Sequence, residues 1–596
     1  MARRLQPCII YFTFTSRKAL LTSAKVLAAD LGCSVTWAKE SKSALSSTGG
    51  AATTNQTSRT PFAAPGRQQP HREAQASMSI QQHATPLLET GDEPPEPSPE
   101  MVEPEPPAKP GFTLKSELWV MFMLGWPMVI SFVCRIAMAS TDTAFVGHLD
   151  NQTVSAFFDR PYTGEQYLAA ASLSDMVVNV LIVPPLAFNQ VLNALVGQAI
   201  GSGNKMMAGT WLQLSVFFLV LSYLPMMALQ YFFVADALRL LGFAPDVCEL
   251  AGYYAKWNLF WPIPNGIYQC MRFYFQAQGM PRPAMWNNLA FVLVNAALNW
   301  TLVFGGPFQY APIRWHGFGF VGAAMSISAS RCLQPLTYYL YMFAYRRAHA
   351  ETWPGLSCSF LRRERVRAFL AQSLPLIGTL IFQSVSGQVT TLLIAQLGTL
   401  AISASSAVAA ATQVASSGLS AAFSACAAVR IGYHLGRGDV RASKAAMHIV
   451  VGASTASTVL IVGVLWPLRW QLCSLVTSDS TVIPVAAELV AAAFVAAGLS
   501  QLVSIGTSGV LSGQGRTVVT TLLSFGFELP ASIGGTALLV FVAKLRGPQG
   551  LLWITWAGGG FSLVEVGVVA AVILLGDWSR YAREAQARQE AASDTS

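Results

Sequence analysis

Charge is what this sequence has least of. Only 11% of its 596 residues are Asp, Glu, Lys or Arg, while 53% are hydrophobic. A soluble domain carries about 25% charged residues, so the deficit points to a bilayer as solvent. From Ala368 to Val429 there is no Asp, Glu, Lys, Arg or His at all. A span takes about 20 apolar residues, so this stretch holds two spans and a tight turn. Cysteine is sparse and scattered. The nine cysteines (Cys8, Cys33, Cys134, Cys248, Cys270, Cys332, Cys358, Cys426 and Cys473) include no CxxC pair. Neither a disulfide framework nor a zinc site is expected, and most of these thiols read as small apolar fillers. The seven histidines lack metal-ligand spacing. No HExxH, GxSxG or pair of catalytic carboxylates occurs, so the chain is not expected to be an enzyme. No metal and no cofactor is called for.

Residues 1–110 read as a disordered tail. Gly91 to Pro110 is rich in Pro and Glu, and such a composition buries too little apolar surface to offset its ordering entropy. The first 45 residues are basic (Arg3, Arg4, Arg17, Lys18, Lys25). They fit an organellar targeting segment, an ordinary tail, or an extension upstream of a start at Met78. Thr85 to Glu89 resembles a dileucine sorting signal but lacks the upstream acid.

What is present is helix-length hydrophobicity. Twelve apolar segments follow Leu118, at about 118–143, 167–196, 209–233, 250–276, 284–305, 319–345, 367–396, 400–428, 445–468, 483–511, 517–543 and 549–576. The expected class is an all-α polytopic membrane protein with 12 spans in two parallel-repeat six-helix bundles. The first half is 111–345, a basic linker 346–366, the second half 367–578 and a cytoplasmic tail 579–596. The linker holds Arg346, Arg347, Arg362, Arg363 and Arg365, and the loop after span eight adds Arg437, Arg441 and Lys444. The positive-inside rule then places both termini in the cytoplasm. This loop pattern accounts for much of the net charge of +8, so nucleic acid is not an expected partner.

Two segments repeat. Gly197-Gln-Ala-Ile-Gly201-Ser-Gly203-Asn204 ends span two, and Gly432-Tyr-His-Leu-Gly436-Arg-Gly438-Asp439 ends span eight, 235 residues later. Ala277-Gln278-Gly279 and Gly513-Gln514-Gly515 repeat at an offset of 236. Each partner lies an even number of spans away, so the halves share orientation and are related by an axis along the membrane normal. Gly-x-Gly can cradle phosphate. With no strand before it, tight turning and close helix approach are the better reading here.

These motifs resemble the multidrug and toxic compound extrusion (MATE) family from about Leu118 to Arg583. Span one carries Trp126-Pro127 and then Thr141-Asp142-Thr143-Ala144-Phe145-Val146-Gly147-His148-Leu149. Span two runs from Leu168-Ala169-Ala170-Ala171-Ser172-Leu173 to Ala194-Leu195-Val196-Gly197-Gln198-Ala199-Ile200-Gly201. Span eight ends in Val429-Arg430-Ile431-Gly432-Tyr433-His434-Leu435-Gly436, and Asp577-Trp578 closes the last span. The resemblance implies a V-shaped pair of bundles, alternating access, export coupled to proton or sodium entry, and a pocket for organic cations and other amphipathic solutes.

Asp142 is the leading coupling candidate, because a carboxylate within a span is costly and usually functional. Arg135, two turns earlier, is expected to be able to pair with it. Asn295 and Asn299 share a face of span five. The family pattern there is Asn then Asp, so Asn295 matches and Asn299 departs. Ser326 matches a family hydroxyl, and Pro127 a proline associated with bending of span one. The second half departs further. Gln383, eight residues after Pro375, and Gln501, eight before Gly509, stand where many members carry acids. Glu528 and Glu565 are candidate replacements, Glu528 the better placed. Arg272 and Arg331 are intramembrane bases that could meet anionic solutes, and Lys256 is expected to snorkel.

The reading is a monomeric carrier exporting small organic or xenobiotic solutes among membrane lipids by proton- or sodium-coupled antiport. Its membrane is left open among the plasma membrane, the vacuole and the plastid envelope. A lipid-linked oligosaccharide flippase and a non-transporting scaffold descended from a carrier are the alternatives.

Overall fold

The computed structural model describes residues 113–149, 158, 162–310, 315–413, 417–476 and 481–593. The expected tail, 1–110, lies outside them. Every regular element among the described residues is helical. The first half consists of α1 (Leu114–Gly147), α2 (Gly164–Gln190), α3 (Leu192–Gly201), α4 (Lys205–Leu240), α5 (Pro245–Trp257), α6 (Pro262–Ala277), α7 (Arg282–Phe304) and α8 (Phe320–Tyr339). The second consists of α9 (Arg363–Ala395), α10 (Thr399–Gln413), α11 (Leu419–Gly436), α12 (Val440–Leu465), α13 (Arg469–Val476), α14 (Val482–Gln514), α15 (Thr517–Val542) and α16 (Gly547–Leu574). A last helix, α17 (Trp578–Ser593), follows.

The described residues of the twelve expected segments are largely helical, and nine helices among them are long and apolar enough to cross a membrane. The other three expected spans have identifiable reasons for falling short. Span four breaks between α5 and α6 at Asn258–Trp261, just before Pro262 and Pro264. Span six, α8, carries Arg331 and passes into a π-helical turn, Leu340–Tyr345. Span eight includes residues 414–416, which lie outside the described residues, between α10 and α11.

The repeated glycine motif joins the halves. Helices α3 and α11 form the most extensive pairing in the structure. A Cβ on Gly197 would lie 2.8 Å from the Val429 carbonyl oxygen, and one on Gly432 3.0 Å from that of Ala194. Likewise Gly201 abuts the Tyr433 carbonyl, and Gly436 that of Gln198. Shifting each residue by 235 converts every one of these contacts into its partner. The seam is therefore self-complementary about a pseudo-two-fold axis. Lipid tails are as apolar as leucine, so such helices associate by close packing, and glycine permits the closest approach. The rest of the motif ends one helix and starts the next. Gly203 and Gly438 have φ of +85° and +75°. Asn204 and Asp439 then cap α4 and α12 by accepting from the Met207 and Ala442 backbone N–H groups.

The C-terminal segment, expected as a tail from Ser579, is largely a packed helix. Asp577 Oδ1 caps it, accepting from the Ser579 and Arg580 N–H groups at 3.0 and 3.1 Å. Tyr581, Ala582, Ala585, Gln589 and Ala592 form its buried stripe. It spans both halves. Arg588 donates to Gln198 Oε1 at 2.7 Å, Trp211 Nε1 donates to Gln589 Oε1, and Arg365 Nε donates to the Ala592 carbonyl.

Crowding at the seam generates a prediction. Gly201→Ala forces helix separation and costs about 1–3 kcal/mol, the usual range for overpacking. The midpoint of thermal unfolding in detergent should fall, while Gly147→Ala, with open space around its Cβ, should leave it unchanged.

Candidate functional site

On one side of the seam the halves enclose a cavity of about 710 Å³. It runs from Asn193, Gln276 and Ser512 beside the seam to Val146 and Leu168 at the far ends of α1 and α2. The opposite end is shut by the seam and by a buried ion pair. Glu117, at the start of α1, accepts from Arg430 Nε and Nη2 of α11 at 2.7 and 2.6 Å, and His434 Nε2 lies 3.2 Å from Oε1. Both residues of the bidentate pair are largely shielded, Glu117 at 5% and Arg430 at 16% side-chain exposure.

Asp142 lines the cavity and is buried. Its Oδ1 accepts from Asn295 Nδ2 and Asn299 Nδ2, each at 2.8 Å. Ser326 in turn donates to Asn299 Oδ1 at 2.6 Å. Asn295, Asn299 and Ser326 are fully buried. Three helices thus hold one carboxylate. The four-residue spacing of the asparagines puts both amides on the face of α7 that meets α1. Pro127 is buried within α1 about four turns before Asp142, and Ser131 donates to its carbonyl.

The expected Arg135–Asp142 pair is absent, a correction with a simple cause. Seven residues of helix separate their backbones by about 10 Å, and the Arg135 guanidinium lies over the Phe132 ring at 5.6 Å. Arg135, Arg272 and Arg331 instead line the same cavity. So does Asp175 of α2, a residue missed in the sequence although an acid in mid-span was the available signal. Asp175 lies within electrostatic reach of Asp142.

The second half places its polar residues apart. Gln383 Nε2 donates to Glu528 Oε2 at 3.1 Å. Glu528 and Glu565 line a separate cavity of about 460 Å³ among α9, α14, α15 and α16. Gln383, Ser504 and Ser508 line both cavities and form the polar wall between them. Gln501 is not part of either lining; it donates to Ser454 Oγ at 2.6 Å inside the bundle. Lys256 rests over the Tyr231 ring at 5.3 Å. Among the described residues no cluster of His, Cys, Asp and Glu could hold a metal ion.

Two parallel-repeat helical bundles with a polar cavity between them define a multi-pass membrane carrier. The family follows from comparison. The family model MatE matches residues 160–301 and 375–531, one stretch in each half and together half of the chain. The chain belongs to the MATE family of efflux transporters. It is 28% identical over 480 residues to Multidrug and toxin extrusion protein 2 of Oryctolagus cuniculus, covering 79% of this chain and 73% of that protein. To Protein DETOXIFICATION 16 of Arabidopsis thaliana it is 25% identical, over 80% of this chain and 92% of that protein. The crystal structure of the eukaryotic MATE transporter AtDTX14 shares its fold, with a TM-score of 0.69 at 20% identity over 80% of this chain and 99% of that one.

The shut end yields a second prediction. Removing one partner of a buried pair strands the other charge and costs roughly 3–5 kcal/mol. Glu117→Gln should lower the unfolding midpoint, and adding Arg430→Gln should restore part of it. Glu351→Gln breaks the Lys205–Glu351 pair, whose side chains are 54% and 77% exposed, and should leave the midpoint unmoved.

Proposed function

We propose that the chain exports small organic or xenobiotic solutes in exchange for protons, by alternating access of its two halves. The carrying observation is the setting of Asp142 at the wall of the cavity between them. Two amide N–H groups are aimed at one carboxylate oxygen. Oδ1 can accept them whether or not the group is protonated, which leaves Oδ2 to take or release the proton. A sodium ion would need oxygens in place of these N–H groups; the oxygen of Asn299 is engaged by Ser326, which leaves Asn295 Oδ1 as the one unpartnered amide oxygen of the pair. The arrangement favours a proton. Solute and proton then alternate at one residue, the minimum requirement of an exchanger.

The basic loops support placing the shut end, with α17, in the cytoplasm. The cavity then faces outward, and the inward-facing form must separate α3 from α11 and break the Glu117–Arg430 pair. In the second half, the unpartnered buried Oε1 of Glu565 beside Glu528 supports an auxiliary carboxylate site behind the polar wall.

The test uses purified full-length protein in proteoliposomes. An imposed pH gradient should drive movement of a fluorescent organic solute, and a sodium gradient should not. Asp142→Asn should reduce proton-driven movement at least about tenfold, equivalent to about 1.4 kcal/mol. Glu528→Gln should slow it less. Undiminished proton-driven export by Asp142→Asn would sink the assignment.

A further inference from the structure

The cavity carries five charged side chains, none in an ion pair with another, although Arg331 lies within electrostatic reach of Asp142. Asp142 and Asp175 come from α1 and α2; Arg135, Arg272 and Arg331 from α1, α6 and α8. No carboxylate lies within 4.0 Å of any of the three guanidinium groups among the described residues. Each packs instead on a soft or aromatic neighbour. Arg272 lies 4.5 Å from the Phe273 ring, Arg135 over Phe132, and Arg331 Nη1 3.7 Å from Met138 Sδ. Arg272 is 7% exposed, and its Nε–H is buried with no acceptor. Two further donors on the same wall, Asn189 Nδ2 and Trp261 Nε1, are also without partners.

Buried charges are normally paired, because an unmatched one bears the full desolvation cost. Nothing on the facing half supplies the match. That wall offers Gln383, Ser424, Ser504, Ser508 and Ser512, which are neutral. A guanidinium fork fits a carboxylate or sulfonate bidentately, and the unpartnered donors would extend that reach. Asp142 keeps Oδ2 free, and Asp175 stands nearby. The two signs are carried by different residues on one lining, so a ligand satisfying all of them bears both signs. The volume suits a drug-sized molecule.

We infer that the cavity binds amphipathic zwitterions, solutes in which one anionic group is held by Arg135, Arg272 and Arg331 and one cationic group by Asp142 and Asp175. This rests on the exporter reading and deepens it. The cationic group competes with the proton for Asp142, which preserves exchange, while the arginines add an affinity that no proton displaces.

Rhodamine B and its ethyl ester test this, because they share one cationic ring system and differ in a free carboxylate. Binding is followed by fluorescence anisotropy on the purified full-length protein, and transport in proteoliposomes. Rhodamine B should bind at least about tenfold tighter than the ester. Arg272→Gln and Arg331→Gln should abolish that preference, weakening rhodamine B and not the ester, and Asp175→Asn should weaken both dyes. Carboxyfluorescein, anionic without the cationic group, should bind weakly. Equal or tighter binding of the ester, with proton-driven transport intact, overturns the zwitterion and spares the exporter. Binding of carboxyfluorescein as tight as that of rhodamine B also overturns it. Proton-independent behaviour of every solute overturns the exporter reading instead. The comparison of dyes on the unaltered protein holds even if a variant does not fold.

Discussion

The glycine seam between α3 and α11 is the contact on which the rest of the arrangement depends. In lipid, two helices gain nothing by hiding leucine from leucine, so the lobes must be joined where backbones can approach. Each of four glycines presses on a carbonyl of the opposite helix. That crowding leaves no room for side chains, so the lobes meet closely at one end and diverge toward the other. The space left between them is the cavity. The same glycine run also turns the chain into the next span, so one motif fixes both the joint and the path out of it.

A joint built this way can open. It holds by van der Waals contact, one shielded ion pair of Glu117 and Arg430 with the His434 ring against it, and the helix α17 laid across it. None of these is covalent, and the ion pair gains water when the lobes part, which offsets part of the loss. Helix α17 bonds through Gln198, which also donates to the Gly513 carbonyl at 2.9 Å. A single side chain on α3 thus ties together the seam, span ten and the C-terminal helix.

The hydropathy of the sequence carried the spans and their number, because a bilayer imposes its length on every segment that crosses it, and the paired glycine motifs carried the repeat. It carried less of the breaks. Asn258–Trp261 interrupts an otherwise apolar run, and a window average hides it. Helix α17 was read as tail because its buried stripe is mostly alanine, which contributes little hydrophobic signal although it packs closely. At the site, Asp142, Asn295, Asn299 and Ser326 were legible as candidates, and the structure brings those four together. Asp175 was overlooked because no motif pointed to it. The Arg135–Asp142 pairing failed for lack of reach along one helix.

The two halves share a backbone plan and divide the chemistry. In the first, α1, α2, α6 and α8 place charge against the central cavity, with two amides of α7 and a hydroxyl of α8 orienting Asp142. In the second, the equivalent region presents amides and serines, and the acids sit one layer back, behind Gln383. An amide at that wall can pass a hydrogen bond between the cavities but cannot hold a net charge there. The central cavity is therefore electrically one-sided. A solute lying in it is oriented by the first half and merely bounded by the second, so it stays with the first lobe when the seam opens. In the proposed exchange that would give the cargo a fixed partner, with the second half, which presents Gln383 to the cavity, serving as a moving wall.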